Sequence, residues 1–137
     1  MIFVDTNVVS ESLKKTPDES VAEWLIRHDS ELALSTVVIG EIAYGVNKIH
    51  PDQRAARLQA GLDQWCRRYA DRIFGFTQEA ALAYGEIMGT AVRKGRTMSA
   101  PDGMIAAIAH IHGAKLATRN MTDFETTPVD IISPWDF

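Results

Sequence analysis

The chain has 137 residues, of which 46% are hydrophobic, and a formal net charge of −4. This length supports one hydrophobic core and is too short to suggest two, so we predict a single domain over residues 1–137. The charge argues against a broad basic face that binds nucleic acid by counterion release. A cluster of acids around a divalent cation would account for a charge of this size.

The only cysteine, Cys66, excludes an intrachain disulfide, and a reducing cytoplasm is the simplest compartment for such a chain. No stretch approaches the roughly 20 apolar residues that a membrane span needs. Asp5 follows Met1 too closely for the core of a signal peptide. We therefore expect a soluble, unprocessed cytoplasmic protein without membrane attachment.

Short apolar runs alternate with helical patterns along the whole chain. The runs that we interpret as strands cover residues 2–5, 31–35, 73–76, 115–118 and 128–132. The helical patterns begin near Val8, Thr16, Thr36, Pro51, Thr77 and Pro101. This alternation predicts an α/β fold, a three-layer α/β/α sandwich with a mainly parallel central sheet of four to five strands.

Caps and apolar stripes predict some of the helices in more detail. Residues 16–19 form a capping-box pattern with proline at the first helical position. Thr36 can cap the helix that contains Glu41, and Thr77 can cap a later helix. The buried face predicted for that later helix comprises Ala81, Tyr84, Met88 and Val92.

Four acidic residues are predicted to meet at one edge of the sheet. Asp5 ends the first strand, and Asp123 lies in the loop after the fourth. Glu41 and Asp102 lie near the N-termini of helices that enter at the same edge, because crossovers are right-handed. Taken singly, such acids are equally well interpreted as helix caps or solvated dipole partners. Together they would repel one another and raise their own pKa values unless a cation is bound.

A cation held only by carboxylate oxygens indicates Mg²⁺ or Mn²⁺ rather than zinc. His110 and His112 are two positions apart on a predicted helix and face different directions, so we do not expect them to form a metal pair. A divalent ion of this kind can activate water and neutralise a phosphate. No glycine-rich phosphate-binding motif offers a competing nucleotide site.

These features resemble the PIN-domain ribonucleases, and specifically the VapC/FitB-like toxins of bacterial toxin–antitoxin pairs. The resemblance covers nearly the whole chain and rests on four segments in order at family-like spacing. The segments are residues 3–7 (Phe-Val-Asp-Thr-Asn), 35–41 ending in Glu41, 101–107 containing Asp102, and 118–124 containing Asp123, with Pro134 and Trp135 near the C-terminus.

The resemblance implies a PIN-like nuclease domain that acts as an endoribonuclease toxin and needs Mg²⁺ or Mn²⁺. It implies RNA as the substrate and a cognate antitoxin as a partner, and we also expect a homodimer. The catalytic acids implied are Asp5, Glu41, Asp102 and Asp123, with Asp5 and Asp102 as metal ligands. The residues implied as hydrogen-bonding support are Thr6, Thr118 and Asn120.

Basic residues flank two of the acids in a chain that is otherwise acidic. We predict that they contact phosphates of the RNA, since they lie near Asp102 and Asp123 in the sequence. These residues are Arg93, Lys94, Arg96 and Arg119.

Two other functions remain open. The chain could be a non-catalytic PIN-like binding module whose acidic pocket only receives a partner, for example an arginine. It could also be a phosphatase with Asp5 as nucleophile, but such enzymes usually carry a second acid two positions later, where this chain has Asn7. Metal-dependent RNA cleavage distinguishes the nuclease from the binding module.

Overall fold

The computed structural model describes residues 1–137 and contains one sheet of five parallel strands flanked by six helices. The strands are β1 (Ile2–Val4), β2 (Leu32–Ser35), β3 (Ile73–Phe74), β4 (Lys115–Ala117) and β5 (Ile131–Ile132). The helices are α1 (Thr6–Ser12), α2 (Glu19–Arg27), α3 (Thr36–Ile49), α4 (Gln53–Arg68), α5 (Gln78–Arg93) and α6 (Ala100–Ile111). The predicted three-layer sandwich with a parallel sheet is confirmed.

The first strand is the centre of the sheet. The strand order is β3-β2-β1-β4-β5, so β1 pairs with β2 on one side and β4 on the other. Ile2 lies opposite Leu32, and Phe3 lies opposite Leu116. The continuous apolar run of β1 is typical of a parallel strand that is covered on both faces. Its position places Asp5, the next residue, in the middle of the carboxyl edge.

The neighbouring strand β2 is buried along its whole length, including Ala33 between its two leucines and Ser35 at its end. The outer strands are shorter than predicted, since β3 ends at Phe74 and β5 begins only at Ile131. Each of them has a neighbour on one side only. Short edge strands leave few unpaired backbone groups that could pair with another chain.

Two of the predicted caps were wrong by one or two positions. Ser35, rather than Thr36, caps α3, and its hydroxyl accepts a hydrogen bond from the Val38 N–H at 3.2 Å. Asp18, rather than Thr16, caps α2. The proline of the predicted capping box therefore lies before the helix instead of at its first position. In both cases the residue directly before the first helical residue meets the free N–H groups of the first turn.

The Thr77 cap of α5 is confirmed, but the predicted buried face of that helix is wrong. The face that is buried is rotated about the helix axis from the predicted one. The buried residues are Ala80, Ile87 and Ala91, whereas Val92 is 74% exposed. The helix is rich in alanine and glycine, so its sequence defines no strong apolar stripe. Contact with α6, the helix against which α5 packs most extensively, determines the face instead.

A glycine allows this close packing at the start of α6. A Cβ atom at Gly103 would lie 2.5 Å from the Met88 sulfur and 3.0 Å from the Tyr84 ring. Because glycine has no side chain, α6 can approach α5 at this turn. The adjacent residue is Asp102, so the contact fixes the turn that carries one of the predicted acids.

The hydrophobic core is one cluster of 27 buried residues that extends in sequence from Ile2 to Val129. None of the helices has the length and apolar character needed to cross a membrane.

Candidate active site

A cavity of about 440 Å³ lies at the carboxyl edge of the sheet, beyond the ends of β1 and β4. Three of the four predicted catalytic acids line it, together with one acid that was not predicted to lie there. The eleven lining residues are Asp5, Thr6, Asn7, Ser10, Glu11, Lys14, Glu41, Asp102, Arg119, Asn120 and Trp135.

Asp5 is held in a fixed orientation by three hydrogen bonds. Its Oδ1 atom accepts from the Thr6 N–H at 2.8 Å, and this bond caps α1. Its Oδ2 atom accepts from the Thr118 hydroxyl at 2.7 Å and from the Asn7 amide at 3.3 Å. A carboxylate offers about four lone-pair directions, so roughly one remains for a ligand in the cavity. Asp5 is thus both a helix cap and a member of the acid cluster.

The Thr118 hydroxyl is completely buried and uses its full hydrogen-bonding capacity. It donates to Asp5 and accepts from the Asn7 amide at 3.2 Å and from the Asn120 N–H at 3.1 Å. The structure therefore places Thr118 and Asn120, two of the predicted supporting residues, in one network with Asp5.

Asn7 joins this network from the first turn of α1, although the sequence did not indicate it as a site residue. Its amide nitrogen contacts both Asp5 and Thr118, and its Oδ1 atom accepts from the Arg119 N–H at 3.1 Å. Asn7 thereby connects the end of β1 to the end of β4. The signal in the sequence was its place two residues after the acid that ends the first strand.

The other two acids of the cavity lie on separate helices. Glu41, on α3, accepts a hydrogen bond from the Thr6 hydroxyl at 2.5 Å through Oε1, which leaves Oε2 without a partner. Asp102 lies in the first turn of α6, where its N–H donates to the capping hydroxyl of Ser99 at 3.2 Å. Thr6, the third predicted supporting residue, therefore contacts both Asp5 and Glu41.

Burial and mutual repulsion raise the pKa values of two carboxyl groups. Burial is the largest cause of the raised pKa of Asp5, which the charges of Glu41 and Asp123 raise further. The Thr118 and Thr6 hydrogen bonds oppose this shift. Burial, followed by the charge of Asp5, raises the pKa of Asp102 to about 6. Unfavourable ionisation of clustered carboxyl groups is the electrostatic condition that a bound cation relieves.

Asp123 is outside the cavity lining but within electrostatic reach of it. It lies in a 3₁₀ turn over Met121–Phe124 and is exposed. Its charge contributes to the raised pKa of both Asp5 and Asp102. The fourth acid is therefore near the other three without belonging to the same wall.

The donor set of the cavity fits Mg²⁺ or Mn²⁺, because its acids offer oxygen atoms and no histidine or cysteine lines it. No three acidic, histidine or cysteine side chains are grouped closely enough to hold an ion by themselves. Mg²⁺ commonly binds through one or two carboxylates and keeps several waters, so it does not require a group of three such side chains.

Only one of the four predicted phosphate contacts lines the cavity, and that residue is Arg119. Arg96 forms an ion pair with Glu125 at 2.8 Å, and Lys94 lines a different cavity. Arg93 donates to the Thr90 hydroxyl. The structure therefore does not bring Arg93, Lys94 and Arg96 to the acids, although they are near Asp102 in the sequence.

A second cation of the cavity, Lys14, was missed. Its ammonium group lies 2.9 Å from the nearly buried carboxylate of Glu11, which also accepts from the Asp18 N–H at 3.0 Å. The hydrogen bond from Lys14 is the largest cause of the lowered pKa of Glu11. The sequence signal was helical spacing, since the lining residues of this wall are Asn7, Ser10, Glu11 and Lys14.

An acid-lined cavity at the carboxyl edge of a parallel sheet defines a candidate divalent-metal hydrolase. The sequence matches the family model described as PIN domain over residues 2–128, and the chain therefore belongs to the PIN domain family.

Two relatives resemble the chain over almost its full length. VapC ribonuclease Y4jK of Sinorhizobium fredii is 35% identical, and the alignment covers 99% of each sequence. Toxin FitB of Neisseria gonorrhoeae is 34% identical, with 98% of this chain and 99% of FitB covered. The predicted resemblance to VapC/FitB-like toxins is confirmed.

Solved structures agree with this assignment. The crystal structure of FitAcB from Neisseria gonorrhoeae superposes with a TM-score of 0.88 at 34% identity and full coverage of both chains. The structure of VapBC2 from Rickettsia felis bound to a DNA fragment from their promoter gives a TM-score of 0.83 at 27% identity. It covers 97% of this chain and 98% of that one.

Proposed function

We propose that this chain is a metal-dependent endoribonuclease toxin that hydrolyses phosphodiester bonds of RNA. The observation that carries the proposal is the convergence of Asp5, Glu41 and Asp102 in one cavity. The raised pKa values of Asp5 and Asp102 support it, since perturbed carboxyl groups in a cleft are typical of functional sites.

The relatives support RNA as the substrate. One is named a VapC ribonuclease, and a 26% identical relative from Salmonella typhimurium is named a tRNA(fMet)-specific endonuclease. The latter alignment covers 97% of this chain and 96% of the relative.

In this proposal Asp5 and Asp102 hold Mg²⁺ or Mn²⁺, which when bound supplies charge neutralisation and lowers the pKa of water. Thr118 and Asn7 keep Asp5 in one orientation, so little rearrangement is needed when the ion binds. Glu41 has one carboxylate oxygen free, which can accept a proton or a water hydrogen bond. Asp123 acts from outside the cavity wall, through its charge or through water.

The supporting residues and Arg119 have separate roles. Thr6 fixes Glu41, and the N–H of Asn120 fixes the hydroxyl of Thr118. Arg119 lines the cavity beside the acids and can bind a phosphate oxygen. In this proposal Arg93, Lys94 and Arg96 contact only parts of a longer RNA that lie away from the acidic cavity.

The test is cleavage of a labelled RNA by purified protein with Mg²⁺ or Mn²⁺, with chelator, and with the Asp102→Asn variant. We expect cleavage only with metal and wild-type protein. The matched control is Asp130→Asn, an exposed acid that lines none of the cavities described. Cleavage that persists in chelator would exclude the mechanism, and metal-independent binding without cleavage would support the non-catalytic binding module instead.

We also infer that a cognate antitoxin covers this cavity in the cell. The related FitAB and VapBC structures are toxin–antitoxin complexes, three of which are described as bound to DNA. An acid-lined cavity is suited to receive a basic side chain of such a partner. We propose a homodimer as well, which the exposed Leu82 and Val92 on α5 support.

We further propose that residues 1–137 form a single PIN-like nuclease domain that acts in the cytoplasm. The core cluster supports one domain, since it draws residues from all parts of the chain. The free thiol of Cys66 supports a reducing compartment, which also contains the proposed RNA substrate.

A further inference from the structure

A second cavity, of about 430 Å³, adjoins the acidic one. The two cavities share three lining residues, which are Arg119, Asn120 and Trp135. They therefore form one cleft with a common wall. The residues that line only the second cavity are Met121, Thr122, Ser133 and Asp136.

We propose that the second cavity is a subsite for one nucleobase of single-stranded RNA, adjacent to the phosphate that lies among the acids. The proposal rests on the ribonuclease function proposed above and adds where the neighbouring nucleotide binds. Sequence comparison and the acid cluster assign no residue to this role.

The lining of the cavity suits a base better than an apolar peptide. Five of its seven residues are polar or charged, and the two hydrophobic ones are Met121 and Trp135. A base has a flat face that stacks and an edge that forms hydrogen bonds. Proteins that bind single-stranded RNA commonly combine an aromatic ring or an arginine plane with polar groups in this way.

Arg119 and Trp135 form the stacking element. The guanidinium carbon of Arg119 lies 5.2 Å from the centre of the Trp135 ring, within the range of a cation–π contact. Both side chains line both cavities, so the pair lies where the RNA strand passes from one to the other.

The position of Arg119 is coupled to the acid cluster through Asn7. The Arg119 N–H donates to Asn7 Oδ1 at 3.1 Å, and the Asn7 amide donates to Asp5 Oδ2 at 3.3 Å. Two hydrogen bonds therefore link the subsite to the carboxylate that holds the metal in the proposed mechanism. The distance between the base and the reacting phosphate would be set by this link.

The charges of the second cavity orient the nucleotide. Asp136 lines this cavity only, and its carboxylate takes part in none of the salt bridges of the chain. A phosphate would be repelled there and attracted to Arg119 at the shared wall. The sugar–phosphate backbone therefore follows Arg119, and the base occupies the space between Trp135 and Asp136.

A base in a duplex is already stacked on its neighbours and cannot enter such a cavity without leaving the helix. The subsite therefore predicts a preference for single-stranded over double-stranded RNA of the same sequence. It also predicts that removing the base at one position beside the cleaved bond lowers the cleavage rate.

The first test measures binding without cleavage, using the Asp102→Asn protein and a labelled single-stranded RNA of mixed sequence. Replacing Trp135 by Leu should weaken binding by roughly 5- to 150-fold, the range expected for loss of one stacked base. Trp135→Phe should retain most of the affinity. The matched control is Phe137→Leu, an aromatic residue of the same C-terminal turn that lines neither cavity. Equal affinities of Trp135→Leu and Phe137→Leu would overturn the subsite.

The second test uses intrinsic fluorescence, since the other two tryptophans, Trp24 and Trp65, are buried. Single-stranded RNA should quench the fluorescence, and duplex RNA of the same sequence should not. Quenching should disappear in Trp135→Phe. Quenching that is unchanged in that variant would contradict stacking on Trp135.

The third test locates the base by moving a single abasic nucleotide along a cleaved RNA. Wild-type protein should lose cleavage rate at one position next to the cut, and Trp135→Leu should show no extra loss at that position. An identical profile for both proteins would overturn the proposal. RNA binding that depends on Trp135 in a wild-type protein that cuts nothing would support the subsite and exclude the nuclease function, so the two failures are distinguishable.

Discussion

The Thr118 hydroxyl lies 2.7 Å from Oδ2 of Asp5, although the two residues are 113 positions apart in the chain. This contact exists because β1 and β4 are neighbours in the sheet and end side by side. The hydroxyl lowers the pKa of Asp5, whereas burial raises it. The orientation and the ionisation of the first acid thus depend on a residue from the opposite end of the sequence.

Replacing Thr118 by Val should therefore raise the pKa of Asp5 further. It should also cost about 1–3 kcal/mol in unfolding free energy. The buried Asp5 carboxylate loses a donor, and the Asn7 side-chain amide and the Asn120 backbone N–H lose their acceptor. Metal titrations followed by calorimetry at several pH values should show half-maximal binding at a higher pH. Thr118→Ser keeps the hydroxyl and should behave like wild type in the pH profile. A shift in stability with no shift in the pH of metal binding would limit Thr118 to a structural role.

Asp102→Asn should stabilise the metal-free protein at neutral pH. The folded-state pKa of Asp102, about 6, exceeds its ordinary value of 3.8, so the folded state binds more protons between these values. Stability then falls as pH rises from about 4 to 6, and the variant escapes this loss. Asp102 is only half-buried, so after solvent screening we expect a gain on the order of 1 kcal/mol at pH 7.

Thermal melts in chelator at pH 4 and pH 7 measure this effect. The variant should melt a few degrees above wild type at pH 7 and close to it at pH 4. A lower melting temperature at pH 7 would mean that Asp102 holds the fold together and that the acids do not repel one another.

Glu11→Gln should have the opposite pH dependence. The folded-state pKa of Glu11 is lowered from 4.5 chiefly by Lys14, so its stabilising effect is present at neutral pH and is lost as pH falls through that lowered pKa. We expect a loss of about 1–2 kcal/mol at pH 7 that shrinks in acid. Glu23→Gln is the control, since its pair with Arg27 is exposed on both sides and contributes little. Denaturant titrations at two pH values compare the variants.

Neutralising Arg119 should affect RNA binding more than neutralising Lys94. Arg119 lines the acidic cavity, whereas Lys94 lines a different one. Each phosphate contact with single-stranded RNA contributes about 0.7 to the slope of log affinity against log salt concentration. Arg119→Gln should therefore reduce the slope by about that amount, and Lys94→Gln should leave it unchanged. Equal reductions of the slope in the two variants would support the broader phosphate-binding surface predicted from the sequence.

The antitoxin should compete with metal for the same carboxylates. We expect a C-terminal antitoxin peptide to place an arginine among Asp5, Glu41 and Asp102, where it pairs with oxygens that otherwise hold the ion. Calorimetry should show weaker peptide binding with Mg²⁺ present and weaker binding to Asp5→Asn. The four measurements use wild type and Asp5→Asn, each with and without Mg²⁺. The same affinity in all four would mean that inhibition does not act through the acidic cavity.

The sequence predicted those parts of the site that depend on strand ends and helix starts. Asp5, Glu41 and Asp102 could be assigned to one edge because parallel topology brings these positions together. The arginines and lysines could not be assigned by the same means. They were assigned to the site because they lie near the acids in the sequence, but a long side chain can extend in several directions. Arg96, for example, forms an ion pair with Glu125.

The contribution of the first helix was missed for a related reason. The residues of α1 that line the cavity have an ordinary helical spacing, and nothing local distinguishes a wall of a site from a solvated face. The carboxylate of Glu11 is nearly buried and is paired there with Lys14 and the Asp18 N–H. Likewise, Val92 on α5 is exposed because packing against α6 determines which face of α5 is buried. The alanine-rich sequence of α5 does not define that face.

The central position of β1 also bears on how the protein is made. The ribosome makes β1 and the adjacent Asp5 well before β4, Thr118 and the Asn120 N–H, which follow much later in the chain. A chain that is still growing on the ribosome, or one cut short before β4, contains three acids but lacks the groups that orient the first of them. The assembled site thus requires a polypeptide that includes β4 and the residues that follow it, and copies cut short before β4 are expected not to cleave RNA.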